Sequence, residues 1–322
     1  MNTLEEIAKR ILRAKQVAII THMRPDGDAF GSAFALSCAL DFLHVPNEVC
    51  VESDVPSNLL FINGLTTAKK APEREYDLLV SVDCSDVQRL GALSDEYLRA
   101  ERKKIDTINI DHHISNPLFS KYNYVRVCSA NVMNVANLIE YMGAPFDKKT
   151  AEYLLLGLLT DSGNFSHDDV NEETLSLAAR LVKAGADIRY YHYNLFKKQS
   201  KARAALYAKT MSGIRYFFDD RFAIITITRE NMEKCGADQG MTEGFVDFPL
   251  NVDGVEIAAS IMEVKHRQYK ISLRSKEYAD VNKIAGVFGG GGHIRAAGCM
   301  LFGELEEIVD RLSYTVSQYL DD

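Results

Sequence analysis

The sequence lacks two features that would indicate a particular class of protein. It has no excess of basic residues, since 37 Lys and Arg stand against 45 Asp and Glu and the formal net charge is −8. A surface that binds long nucleic acid by releasing counterions is normally basic, so we do not expect that function. It also has no apolar run near the ~18 residues that a membrane-spanning helix needs. Because residues 1–16 have an amphipathic rather than a signal-peptide pattern, we expect a soluble, cytoplasmic protein with no membrane partner.

The cysteines are few and scattered, and none forms a CxxC pair. A disulfide-rich secreted domain or a zinc ribbon requires closely spaced cysteines, so neither is expected and the thiols should be reduced. What remains is a chain of 322 residues, 47% of them apolar, which is long enough for about two domains. The six cysteines are Cys38, Cys50, Cys84, Cys128, Cys235 and Cys299.

Short apolar runs alternate with helical patterns in the first half of the chain. Residues 16–22 and 47–53 predict strands on either side of a helix at 28–44, and further apolar runs occupy 76–84 and 105–113. Buried strands separated by helices indicate a parallel sheet in an α/β domain. Ligands of such sheets bind at the carboxyl ends of the strands.

The pattern changes beyond residue 131. Residues 131–186 are helical in pattern, and 187–213 predict a helical linker between domains. Three later apolar runs predict antiparallel strands, at 214–228, 256–264 and 269–275, with helices at 280–290 and 304–320. We therefore predict an α/β protein. Residues 1–186 form a domain with a mostly parallel sheet flanked by helices, 187–213 the linker, and 214–322 a smaller α/β domain.

Carboxylates and imidazoles follow the apolar or helical runs of the first domain at four places. The segments are THMRPDGDAFGS, SVDCSD, NIDHHISN and LLTDSGNFS. Singly, each has an ordinary explanation, such as a helix N-cap at Asp26 or a loop residue at Asp83. Four together at one edge of a sheet predict a metal site.

The residue types indicate which metal the site would hold. Asp and His without thiolate suit Mn²⁺, with Mg²⁺, Co²⁺ and Zn²⁺ as alternatives. The candidates outnumber the ligands of one ion and suit two ions ~3.5–4 Å apart, which clamp the attacking and leaving oxygens of a phosphoryl displacement. The candidate ligands are His22, Asp26, Asp28, Asp83, His112 and Asp161.

These segments resemble the four motifs of the DHH phosphoesterase superfamily, with Asp111-His112-His113 as the DHH tripeptide. The segment GGGGHIRAAG at 289–298 resembles the glycine-rich signature of the DHHA1 substrate domain. Within the superfamily, the chain resembles the stand-alone nano-RNase and pAp phosphatase (NrnA-type) branch.

The resemblance implies roles for individual residues. His113 would lie close to the scissile phosphate, and Asp111 would orient a ligand histidine. Asp83 would bridge the two ions, which suits a carboxylate because it has two oxygens to share. One ion would be bound by His22, Asp26 and Asp83, and the other by Asp28, Asp83, His112 and Asp161.

The glycine run has two interpretations. It is either a flexible helix end or a loop whose backbone N–H groups approach a phosphate or base, and the neighbouring His293 and Arg295 favour the second. Arg274 lies at a strand end, where it would pair with a terminal phosphate. The predicted substrate-binding residues are Arg274, Ser275, Gly290, Gly291, Gly292, His293 and Arg295.

The resemblance implies a two-metal phosphodiesterase that hydrolyses short oligoribonucleotides, including pApA, to nucleoside 5′-monophosphates, with the 3′-phosphate of pAp left open as a further target. Hydrolysis of cyclic di-AMP is an alternative. A pyrophosphatase or exopolyphosphatase is disfavoured by the glycine-rich segment, and a non-catalytic nucleotide-binding protein by the complete ligand set. We expect small nucleotides and no long nucleic acid as partners, and a homodimer is left open.

Overall fold

The chain forms two units in a computed structural model that describes residues 1–320. The first unit is Met1–Lys198 and the second begins at Gln199. The boundary lies within residues 187–213, the segment predicted to link the domains, and most of that segment is helical. Among the described residues, no helix is both long and apolar enough to cross a membrane.

The first unit is built on a five-stranded sheet with the order β2-β1-β3-β4-β5, in which every neighbouring pair is parallel. This arrangement confirms the predicted parallel α/β sheet. Its strands are β1 (Val17–Ile20), β2 (Asn47–Cys50), β3 (Leu78–Val82), β4 (Asp106–Asp111) and β5 (Tyr122–Val125). Its helices are α1 (Leu4–Ile11), α2 (Gly27–Phe42), α3 (Ser94–Arg102), α4 (Asn131–Tyr141), α5 (Lys148–Asp161), α6 (Glu172–Lys183) and α7 (Ile188–His192).

The apolar composition of β1 and β3 accounts for their position inside the sheet. Every residue of β1 and β3 is buried, as expected for parallel strands covered on both faces by helices. The edge strand β5 was not predicted from the sequence. It is short and only half-buried, so its residues lack the continuous apolar run that marks the inner strands.

Close packing of α2 against α5 depends on glycine. A Cβ atom placed on Gly157 would lie 2.6 Å from Oδ1 of Asp28 and 2.5 Å from Cγ1 of Val132. Because real Cβ atoms do not approach other atoms that closely, only glycine allows α5 to pass directly beside Asp28. This contact joins the first turn of α2 to the start of α4.

The second unit contains a six-stranded sheet with the order β10-β11-β9-β8-β7-β6. Its strands are β6 (Arg215–Phe217), β7 (Phe222–Ile227), β8 (Ile257–Lys265), β9 (Gln268–Ser275), β10 (Gly291–His293) and β11 (Ala296–Phe302). Its helices are α8 (Lys201–Met211), α9 (Arg229–Cys235), α10 (Asp247–Leu250), α11 (Val281–Val287) and α12 (Leu305–Ser317).

One strand pairing differs from the antiparallel pattern expected from the sequence. Strands β7 and β8 pair in parallel, with Phe222 opposite Ile257, whereas the other pairs in this sheet are antiparallel. The physical reason is the connection between them, since α9 and α10 carry the chain back to the end of the sheet where β7 began. Apolar patterning identifies a strand but not its direction.

Candidate metal centre

The candidate ligands meet because the strands before them all point the same way. His22 follows β1 by two residues, Asp83 follows β3 directly, and His112 follows β4 directly. Asp28 lies in the first turn of α2 and Asp161 is the last residue of α5. Parallel strands deliver their carboxyl ends to one edge of the sheet, so these side chains share that edge.

Three overlapping groups of side chains have donor atoms close enough to share a cation. Within each group, one ligand atom from every residue lies within 4.8 Å of the others. Asp83 and His112 each belong to two groups. The groups are His22, Asp26 and Asp83; Asp28, His112 and Asp161; and Asp83, His112 and His113. Together they contain all six residues predicted as ligands.

Both candidate ligand histidines are held in the tautomer that a metal needs. Nδ1 of His22 lies 2.9 Å from the carbonyl oxygen of Met23, and Nδ1 of His112 lies 2.8 Å from that of Cys128. A carbonyl can only accept, so each Nδ1 carries a proton, and the lone pair that a metal can use is therefore the one on Nε2. This is how the second ring nitrogen of a metal-binding histidine is usually engaged.

Asp83 lies between these two histidines. Its Oδ2 is 3.6 Å from Nε2 of His22 and its Oδ1 is 3.5 Å from Nε2 of His112, both beyond hydrogen-bond range. The residue is 3% exposed, and Oδ1 has no hydrogen-bond partner among the described residues. Burying a carboxylate oxygen without a hydrogen-bond partner costs free energy. A cation bound here would interact with that oxygen and with the Nε2 lone pairs of the two histidines. The donor set therefore fits divalent metal.

Two further carboxylates add to the negative charge. Burial raises the pKa of Asp28 well above its usual range, and the charges of Asp83 and Asp161 raise it further. Burial, followed by the charge of Asp83, raises the pKa of Asp161 to about 7. Both shifts reflect burial first and the repulsion between neighbouring carboxylates second.

The start of α4 holds Asp28 in place. The backbone N–H of Asn131 donates to Oδ2 of Asp28, and that of Val132 donates to Oδ1 over 2.9 Å. Sequence reasoning missed these donors because they are backbone groups, brought to Asp28 only by the packing of α2 against α4. They orient a carboxylate that is fully buried.

His113 and Asp111 form a separate hydrogen-bonded pair. Nδ1 of His113 lies 2.8 Å from Oδ1 of Asp111, whose Oδ2 accepts from Nδ2 of Asn116 over 2.6 Å. The hydrogen bond to Asp111 raises the pKa of His113. Burial opposes ionisation of Asp111, but the hydrogen bonds from His113 and Asn116 lower its pKa overall. Asp111 was expected to orient a ligand histidine, but in the structure it orients His113. The predicted ligand His112 is oriented by the backbone carbonyl of Cys128 instead. Asn116 was not predicted.

Of the two arginines predicted to bind substrate, Arg274 makes fewer hydrogen bonds within the protein than Arg295. Arg274 lies on β9 and is half-buried, with Nη1 donating to the carbonyl of Leu273 over 3.0 Å. Nε lies 3.9 Å from Oδ1 of Asp247, at the limit of an ion pair. The guanidinium therefore keeps donors for another anion.

Ser275 and Arg295 are engaged within the second unit instead. The hydroxyl of Ser275 donates to the carbonyl of Ala279 over 2.6 Å, and Arg295 donates to the carbonyls of Ala279 and Glu277. Both residues therefore hold the loop after β9. Neither hydrogen-bond arrangement is visible in the sequence, because the loop carbonyls are placed by the fold.

A buried carboxylate, which sequence reasoning missed, holds the same loop from the other side. Glu256 accepts backbone N–H groups of Glu277, Tyr278 and Ala279 over 2.9–3.1 Å. Its position just before a strand gives no sign of this role.

The glycine-rich segment forms a hairpin in which part of its backbone is already paired. The N–H of Gly290 donates to the carbonyl of Ala285, and that of Gly292 donates to Oδ1 of Asn282, each over 2.9 Å. A Cβ on Gly290 would lie 2.2 Å from the carbonyl oxygen of Gly298, so this glycine serves close packing. The expectation that these two N–H groups face a phosphate differs from the structure. Gly291 and His293 are exposed on β10.

Comparison with known families agrees with this arrangement. The family described as "DHH family, N-terminal domain" matches residues 16–158, and the DHHA1 domain matches residues 220–320. The chain therefore contains a DHH-family domain followed by a DHHA1 domain. The DHH match includes five of the six candidate ligands and the DHHA1 match includes the glycine-rich hairpin, while Asp161 lies three residues beyond the end of the first match.

Individual known proteins are similar to this chain over nearly its whole length. A Thermus thermophilus protein named "Bifunctional oligoribonuclease and PAP phosphatase NrnA" is 29% identical, covering 98% of this chain and 94% of its own length. A Mycoplasma genitalium protein of the same name is 27% identical, covering 93% and 92%. A solved Bacteroides fragilis structure described as exopolyphosphatase-related is 28% identical, covering 98% and 96%, with a TM-score of 0.83.

Proposed function

We propose that this chain is a metal-dependent phosphodiesterase that hydrolyses short oligoribonucleotides to nucleoside 5′-monophosphates and also removes the 3′-phosphate of pAp. The observation that carries the proposal is Asp83, a buried carboxylate with an unpaired oxygen between the Nε2 atoms of His22 and His112. The relatives named as oligoribonuclease and PAP phosphatase support this choice of substrate.

The proposed centre would hold two divalent ions, and Asp83 is the residue that would serve both. Asp83 shares one candidate group with His22 and Asp26 and another with His112. His112 in turn shares a group with Asp28 and Asp161, and these three residues would hold the second ion. Mn²⁺ suits this Asp and His donor set, and Mg²⁺, Co²⁺ and Zn²⁺ are the alternatives. Bound divalent ions supply Lewis-acid stabilisation of the charge that develops on a phosphoryl group.

The residues of the chain then have distinct tasks. Asp111 and Asn116 hold His113 so that its Nδ1 is engaged and its Nε2 is left to contact a phosphate oxygen. Backbone carbonyls engage Nδ1 of His22 and of His112, which leaves Nε2 of each ring to bind a metal. In the second unit, Arg274 binds a terminal phosphate, with Gly291 and His293 on the exposed hairpin as further contacts. Gly290, Gly292, Ser275 and Arg295 shape that surface.

A substrate panel tests the proposal. The purified protein is incubated with Mn²⁺ and, separately, pApA, a five-nucleotide RNA, pAp or cyclic di-AMP, and the release of AMP or of other 5′-monophosphates is measured. We expect turnover of pApA, the RNA and pAp. Release of nucleoside monophosphate from none of the substrates would refute the proposal, and turnover of cyclic di-AMP alone would replace it. Parallel reactions with Mg²⁺, Co²⁺ and Zn²⁺ identify the metal.

A second candidate comes from the Bacteroides fragilis structure, whose description relates it to exopolyphosphatase. Inorganic polyphosphate and pyrophosphate are therefore included in the panel, with phosphate release as the measurement. Turnover of either at a higher kcat/KM than pApA would favour this second candidate over the first.

A further inference from the structure

One face of the second sheet is only partly covered. Side chains of β7 and β8 on this face pack against Leu206 of α8, Met232 of α9 and Phe245. The opposite face is covered along its length by α11 and α12. Over β9 and β11, by contrast, residues of the partly covered face are accessible to solvent.

The accessible part carries a polar row beside an apolar one. Lys270, Ser272 and Arg274 alternate along β9 and therefore share a face. On β11, Met300 pairs with Lys270 and Phe302 follows on the same face. Met300 is 37% exposed and Phe302 is 64% exposed. We call Lys270, Ser272, Met300 and Phe302 the open face.

Two grooves meet on the open face. One of about 330 Å³ runs between β8, β9 and residues 239–246 and includes Arg274. The other, of about 540 Å³, is lined by β9, β11 and the turn at Phe288. Lys270 and Ser272 line both grooves. A surface therefore leads from the proposed phosphate-binding Arg274 past Lys270 to the glycine-rich turn.

The charge of this surface suits an anionic chain. The side chain of Lys270 is exposed and makes no ion pair or hydrogen bond with the residues that the structure describes. The first groove is lined by one acidic residue, Glu243, and by two basic residues, Lys270 and Arg274. Arg274 is four residues after Lys270 on β9, so their Cα atoms are about 13 Å apart at the usual rise per residue. This spacing suits contacts to two different phosphates of one strand, which a chain of several nucleotides provides.

We propose that the open face binds the part of an oligoribonucleotide strand that lies beyond its first two nucleotides. Lys270 pairs with a backbone phosphate, and Met300 and Phe302 contact bases. Alternating cations and apolar side chains are the features by which proteins bind single strands without reading their sequence. The proposal rests on the proposed function, because it assigns the terminal phosphate to Arg274.

Direct binding by the full chain tests this proposal. Fluorescence anisotropy in EDTA compares 5′-phosphorylated, 3′-fluorescein-labelled adenosine oligonucleotides of two and five nucleotides. We expect the wild type to bind the five-mer more tightly. Lys270→Gln should weaken five-mer binding about fivefold to tenfold and lower the slope of log Kd against log salt by about 0.7, the loss of one phosphate contact. Its affinity for the dinucleotide should change less than twofold.

Two further variants separate the apolar contact from general effects. Phe302→Ser should weaken five-mer binding at least fivefold, as for loss of one stacked base, with no change in the salt slope. Lys234→Gln is the matched control, since it removes an ion-paired cation on α9, away from the open face, and should change neither affinity. Wild-type binding that does not depend on length, or equal effects of Lys270→Gln on both oligonucleotides, would overturn the proposal.

The outcomes also separate this proposal from the proposed function. Length-dependent binding without hydrolysis in the substrate panel would leave the open face as a strand-binding surface and remove the activity. Hydrolysis with length-independent binding would keep the proposed activity and remove the open face as a strand-binding surface. If sedimentation shows a dimer that Phe302→Ser dissociates, the open face is an interface between two copies, which would also overturn the proposal.

Discussion

The two units present their charged groups in opposite ways. In the first, Asp28 and Asp83 are buried where a fully covered parallel sheet ends. In the second, Lys270 and Arg274 lie on a sheet face that helices cover only in part. A sheet covered on both faces leaves only its edge for a site, where groups are rigid and desolvated. A partly covered sheet provides an accessible surface instead. The comparison predicts that substitutions in the first unit impair catalysis and those in the second impair substrate binding.

The largest effect is expected for Asp83→Ala. It removes the carboxylate that faces both His22 and His112, so kcat for pApA with Mn²⁺ should fall roughly a thousandfold or more. Initial rates give the loss, and circular dichroism should show an intact fold. Asp86→Asn, in the same loop but outside the three candidate groups, is the control and should retain activity. Activity of Asp83→Ala within tenfold of wild type would contradict a bridging role.

The second largest effect is expected for Arg274→Ala, and it should appear in KM. Losing a charge-assisted contact of about 1.5–3 kcal/mol raises KM for pApA roughly tenfold to a hundredfold, with a smaller change in kcat. Comparing pApA with ApA tests the assignment, because ApA has no terminal phosphate and its kinetics should not change. Arg267→Ala, which removes an arginine paired with Glu304, is the matched control. An equal loss on ApA would show that Arg274 does not bind that phosphate.

Metal should stabilise only the first unit. Saturating Mn²⁺ at about a hundred times its Kd contributes about 2.7 kcal/mol and should raise the melting temperature by roughly 5–10 °C over EDTA-treated protein. Amide hydrogen exchange locates the effect, since α2, α4 and α5 should gain protection while β9 and β11 should not. In Asp83→Ala the shift should largely disappear. Equal protection of β9 and β11 would remove the distinction between the units.

The smallest effect is expected for Arg295→Ala. Its donors hold the carbonyls of Glu277 and Ala279, so its loss should destabilise the loop after β9 by about 1–2 kcal/mol. Hydrogen exchange of residues 276–280 measures this change. KM for pApA should rise far less than in Arg274→Ala. A KM increase equal to that of Arg274→Ala, with unchanged exchange, would make Arg295 a direct substrate contact.

Much of the candidate site could be predicted because its residues are adjacent to recognisable elements. Asp83 and His112 follow apolar strands directly, so the parallel direction of those strands was enough to place them together. Asn116, Glu256 and Lys270 were not predicted. Each acts through a partner or surface that is distant in sequence, such as the loop N–H groups that Glu256 binds.

The sequence alone determined the α/β class, the mostly parallel character of the first sheet and the set of metal-binding candidates. It did so because apolar periodicity and residue chemistry are local properties of the chain. Only the tertiary structure decided the parallel pairing of β7 with β8, the tautomers of His22 and His112, and the use of Arg295 within a loop. Those features depend on which backbone carbonyls and strand ends come together, and such contacts arise only when distant parts of the chain pack.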